Sequence, residues 1–163
     1  MKWRFNIIKI LIPLLFVISC DNQERISGSK LNSGLRSYSP PEVIKEIFNA
    51  ANLKLKIITF KDSPMEEVFI IDGYSHLGFT GKLRIHFFKS RLSHTDFSPD
   101  NWEAYKVAIR YLVGEPAKEG DEFNISSQVR IMLLKDFHLR TNFVRWSDET
   151  LDEEILNWNL END

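Results

Sequence analysis

Four histidines, at positions 76, 86, 94 and 138, and one cysteine, Cys20, are the side chains best suited to chemistry in this 163-residue chain. No two histidines have the short helical spacing that puts two imidazoles on one metal. His94 and Asp96 face the same way in an extended segment, but they lack the third ligand that zinc requires, so no metal site is expected. Asp72, Ser75 and His76 contain the residue types of a hydrolytic triad, although triad members normally come from separate loops and no Gly-x-Ser-x-Gly elbow occurs. Gly78-Phe79-Thr80-Gly81-Lys82 has two residues between its glycines, and Leu83 follows the lysine. A phosphate loop needs four residues there and then a hydroxyl residue, so a hairpin turn is expected. Glu66-Glu67 and Asp121-Glu122 fall in expected turns as solvated acids. No catalytic set and no cofactor are expected.

Charge on the strands carries more information. Lys54 and Lys56 alternate with Leu53, Leu55 and Ile57, and Lys82, Arg84 and His86 alternate with Leu83, Ile85 and Phe87. Strand side chains alternate sides, so each strand has one apolar and one basic face. Lys54, Lys56, Lys82, Arg84 and Lys89 are therefore the expected partner-binding residues, suited to an acidic envelope protein. The tail from Asp148 to Asp163 carries seven acidic residues and no basic one. The competing expectation is that this tail lies beside the basic face, docked by Leu151, Ile155 and Trp158.

The elements that must position these residues follow from periodicity. Pro40 and Pro41 start a helix with Val43, Ile44, Ile47 and Phe48 along one face, ending near Asn52. Strands are expected from Leu53 to Phe60, at Val68 to Ile71 with a break at Asp72-Gly73, and from Gly81 to Lys89 after the Gly78 turn. The stretch holding His94 reads as a polar loop. Ser98 is then the expected cap of a helix striped by Trp102, Tyr105, Ile109 and Leu112 and stopped by Gly114. A polar loop from Glu115 to Asn124 leads to residues 129–137, read as a helix with a strand as the alternative. Leu139 to Trp146 is expected as a strand, and Ser147 as the cap of the acidic last helix. Consecutive strands on short turns predict an α+β single domain, a small antiparallel sheet with helices packed on one face.

The first nineteen residues are different. Lys2, Arg4 and Lys9 precede an unbroken apolar run from Ile10 to Ile18, and no acidic residue occurs before Asp21, which is signal-peptide composition. The run is too short for a bilayer span of about 20 residues, and Pro13 interrupts it. Val17-Ile18-Ser19-Cys20 resembles the lipobox of bacterial lipoproteins: two aliphatic residues, a small residue, then the only cysteine. The resemblance covers residues 1–20. It implies cleavage between Ser19 and Cys20, lipid on the Cys20 thiol, and a membrane anchor of several acyl chains. Asp21 after the lipidated cysteine resembles the inner-membrane retention signal of enteric bacteria, which implies the periplasmic face of the inner membrane in such a host. Residues 20–39, mostly polar with isolated Ile26, Leu31, Leu35 and Tyr38, read as a flexible tether, and 40–163 as the globular domain.

Removing residues 1–19 takes away three positive charges and no negative one, moving the balance from −2 to −5. An acidic domain argues against nucleic acid as a partner. The expected function is a non-enzymatic, protein-binding envelope lipoprotein. Small lipoproteins of interbacterial immunity systems are similar in size and layout, which implies an immunity or inhibitor role. The alternative is a membrane-tethered hydrolase using a histidine and an acid, at His76 or His94.

Overall fold

A computed structural model of the chain describes residues 28–162 except 62, 64, 66, 115–121, 127, 137 and 139. The lipobox, with Ser19, Cys20 and Asp21, lies outside the described residues.

The described residues form an α+β domain around one antiparallel sheet of seven strands. Helix α1 (Pro41–Ala50) has proline in its first turn, where the missing N–H costs nothing, and buries Ile44 and Phe48. Strands β1 (Lys56–Thr59), β2 (Glu67–His76), β3 (Phe79–Phe88) and β4 (Arg91–Pro99) follow as a meander. Helix α2 (Trp102–Val113) leads to a second meander of β5 (Glu122–Ser126), β6 (Val129–Asp136) and β7 (Thr141–Asp148), and α3 (Glu149–Asn162) closes the chain. The sheet order β1-β2-β3-β4-β7-β6-β5 joins the two meanders along β4 and β7.

The hairpin expected at Gly78 is present. Leu77 and Gly78 both have positive φ, 52° and 80°, as a two-residue hairpin loop matched to strand twist requires. Gly81 is needed for a different reason: a Cβ there would lie 2.3 Å from the Ser98 carbonyl oxygen. Strand β2 runs on to His76, with a bulge between Ile71 and Tyr74 at the expected break.

Phe69, Ile71, Leu83, Ile85, Phe87, Phe97, Val144 and Trp146 share one face of the sheet and pack with Ile44 and Phe48 of α1 and Tyr105 and Ile109 of α2. The opposite face carries a row running Lys56, Ile70, Arg84, Asp96, Arg145 and Met132 from strand to strand. Helix α3 attaches to that second face: Arg91 meets Glu154 at 2.6 Å and Arg130 meets Glu149 at 2.9 Å. Its Leu151 is buried, and Ile155 and Trp158 are half-buried.

Several local expectations are corrected. Ser98 lies in β4, and the cap of α2 is Asn101, whose side chain accepts from the Ala104 N–H at 3.2 Å. The supposed polar loop around His94 is β4 itself. Ser147 lies in β7, and α3 is capped by Asp148, whose Oδ1 accepts from Thr150 and Leu151. Residues 129–136 are a strand, with Val129, Ile131 and Leu133 buried in alternation. The expected loop, Glu115 to Asn124, overlaps edge strand β5, which begins at Glu122.

The tether expectation also fails from residue 28 onward. Leu31 and Leu35 are 5% and 3% exposed and belong to the core. The Ser37 hydroxyl donates to Asp148 Oδ2 at 2.7 Å. The Tyr38 N–H donates to the Leu92 carbonyl, and the Leu92 N–H to the Ser39 carbonyl. The arm thus pairs with the part of β4 that β7 leaves uncovered when it turns into α3. We predict that Leu35→Ala lowers unfolding free energy in urea by about 2–5 kcal/mol, as for a core leucine. A solvated tether residue would change it by less than about 0.5 kcal/mol.

Candidate functional site

The described residues hold one group of three side chains able to ligate a common atom: His86, His94 and Asp96, whose donor atoms lie within 4.8 Å of one another. Strand pairing builds the group. His86 of β3 stands opposite His94 of β4, and Arg84 opposite Asp96. Between His86 and Phe87 the register shifts, because His86 pairs with His94 while Phe87 pairs with Leu92. Ser93 is the extra residue of a β-bulge, and it moves His94 opposite His86. The imidazoles stack with centroids 4.2 Å apart and planes 16° from parallel.

Asp96 is held from the neighbouring strand. Arg145 grips it with two hydrogen bonds, Nε to Oδ1 at 2.7 Å and Nη2 to Oδ2 at 2.9 Å, a bidentate pairing fixed by cross-strand register. The guanidinium also lies over the Phe143 ring, two residues back on β7. His86 Nε2 lies 3.2 Å from Asp96 Oδ2 with no aligned hydrogen bond between them. Burial alone would raise the Asp96 pKa, but the Arg145 hydrogen bonds and the nearby His86 outweigh it and hold the carboxyl far below the usual carboxylate range. His94 is shifted well down, first by burial and then by the charges of His86 and Arg145, with Asp96 opposing.

The Ser93 hydroxyl fixes the His94 tautomer. It lies 3.1 Å from the His86 carbonyl oxygen, which can only accept, so the single O–H donates there. His94 Nδ1, 3.0 Å from the Ser93 hydroxyl oxygen, must then be the donor, which leaves the lone pair on Nε2.

The remaining sequence-derived residues are dispersed. His76 Nδ1 is 2.6 Å from the Tyr105 hydroxyl and its ring packs edgewise on Phe97 and Trp146; burial pushes its pKa down to about 4. Ser75 is exposed and, as the next residue of the strand, points away from His76. Asp72 pairs with Lys82 at 3.2 Å. The triad residue types are not brought together. His138 is exposed beyond β6. Lys56, Lys82 and Arg84 share the face that carries the histidine cluster. Lys54 is exposed just ahead of β1, and Lys89 sits in the β3–β4 turn with its ammonium 5.1 Å from the Phe88 ring centroid. Lys82 and Arg84 border an open depression with Ser98, Trp102 and Thr141. Sequence reasoning found His94 and Asp96 but missed His86, Ser93 and Arg145.

Both His76 and His94 are neutral in the folded chain, whereas in the unfolded chain they titrate near 6.5. Below that pH the unfolded state binds more protons, so stability falls with acidification, for His76 until about pH 4. The melting temperature should therefore drop between pH 7 and pH 5. His94→Asn, which keeps a donor for Ser93, should flatten that slope; an unchanged slope in the variant would exclude His94 as a source. No protein family, curated protein or solved structure matches the chain.

Proposed function

We propose that the chain is the precursor of a lipid-anchored bacterial envelope protein whose domain acts by binding a partner protein rather than by catalysis. The observation that carries this reading is Val17-Ile18-Ser19-Cys20 directly after the apolar run, with no second cysteine in the chain. Lipid on Cys20 would hold the domain to a bilayer, on the periplasmic face of the inner membrane if an enteric-type host obeys the Asp21 signal. Eight chain steps separate Cys20 from Gly28, so lipid on Cys20 would keep Gly28 within about 28 Å of its attachment point.

Charge supports the choice of partner. The acids of α3 engage Arg91 and Arg130, while Lys56, Lys82 and Arg84 lie together on the same face of the sheet. Like charges gathered on one surface raise the encounter rate with an acidic protein and make it salt-dependent. An immunity or inhibitor role is the form of binding that fits a small anchored domain.

Anchoring is tested by metabolic palmitate label, which should enter the wild-type chain and be absent from Cys20→Ala, itself left unprocessed. Label retained in the variant would overturn the anchor. Partner binding is tested with Lys54, Lys56 and Arg84 reversed to glutamate. Co-purifying envelope proteins should be lost while the melting temperature holds, and retention of the same partners would refute the basic surface.

A further inference from the structure

We infer that His86, His94 and Asp96 form a binding site for a divalent transition-metal ion of the zinc class. The inference is independent of the anchoring and partner-binding reading, since it rests only on the β3–β4 pairing.

The chemistry of the donors is the first support. Neutral imidazole and carboxylate are the oxygen and nitrogen ligands zinc takes, and two histidines with one acid leave a fourth position for water or a ligand. A carboxylate and neutral imidazoles are the forms of these side chains that ligate a metal. His94 is also in the required tautomer: its Nδ1–H is spent on Ser93, the outer hydrogen bond that commonly orients a metal-bound histidine, and Nε2 carries the lone pair.

Geometry is the second. Bonds of about 2.0–2.1 Å at tetrahedral angles place neighbouring ligand atoms roughly 3.3 Å apart. His86 Nε2 and Asp96 Oδ2 are 3.2 Å apart, and Nε2 is buried with no aligned hydrogen-bond partner. A direct hydrogen bond would align them; a shared third atom needs them side by side. The three donor atoms lie within 4.8 Å of one another, so an ion would draw them together by only a small displacement. His86 retains 17% of its side-chain exposure, so the cluster lies near the surface.

Arg145 is the strongest argument against the site, because its guanidinium already neutralises Asp96. Each carboxylate oxygen nevertheless keeps a second lone pair after accepting from Arg145, and outer hydrogen bonds to ligating carboxylates are usual. The positive charge lowers the expected affinity without blocking the position.

The test uses the detergent-solubilised full chain carrying Cys20→Ala throughout, so that no thiol contributes. Calorimetric titration with zinc chloride should give one ion per chain. His86→Gln, which leaves the Asp96–Arg145 pair in place, should weaken binding by about tenfold or more. His138→Gln should leave it unchanged. A measurement that needs no variant is nitrogen NMR of the imidazoles. Zinc should shift His86 Nε2 and His94 Nε2 while His94 Nδ1 keeps its proton. Absence of a stoichiometric zinc, binding indifferent to His86→Gln, or shifts confined to His76 and His138 would each overturn the site.

Discussion

The two halves of the sheet meet along a single seam, four residue pairs from His94↔Ser147 to Phe97↔Val144, and the Asp96–Arg145 pair lies across it. Little net stability is expected from a buried ion pair, because the desolvation of both charges offsets their attraction. What it supplies is discrimination. If β7 slipped by one residue, Arg145 would turn into the apolar face, Val144 and Trp146 would turn out, and Asp96 would be left unpaired, a cost of about 3–5 kcal/mol for the stranded charge alone. The pairing of the two meanders is thus selected by electrostatics as well as by the hydrophobic pattern.

That choice explains why β4 is so polar for a central strand. Ser93, His94, Thr95 and Asp96 are all buried. Thr95 shares the helix-packed face with Phe97 and Leu92, while His94 and Asp96 lie on the other, where Arg145 pairs with Asp96. Buried polar groups are tolerated where partners are in place, and here Ser93, Arg145 and the cross-strand His86 serve three of them. The arm at residues 28–39 completes the arrangement by joining β4 at Leu92 and Asp148 at the start of α3.

The α+β class, α1, α2, the glycine hairpin and the alternating basic strands were legible because each rests on local periodicity or turn chemistry. The arm was not, since Leu31 and Leu35 are isolated apolar residues and the backbone pairing that seats the segment is with Leu92, more than fifty positions away. Strand β4 read as a loop because a segment covered on both sides loses the alternation of a half-buried strand. Residues 129–136 offered apolar positions compatible with both periods, and the sheet's other half decided between them. The histidine cluster was hidden by one residue. Counting back from the Lys89-Ser90 turn, an unbroken hairpin would set His86 opposite Ser93; only the bulge sets it opposite His94.

The arm has a mechanical consequence. The Arg36–Gly28 and Ser29–Ser37 hydrogen bonds lie within the arm, and only Ser37–Asp148 and the Leu92 pairing tie that part of the arm to strands β7 and β4. Under tension the arm would lengthen the chain and uncover Leu31, Leu35 and the cap of α3, while the Asp96–Arg145 seam stays closed.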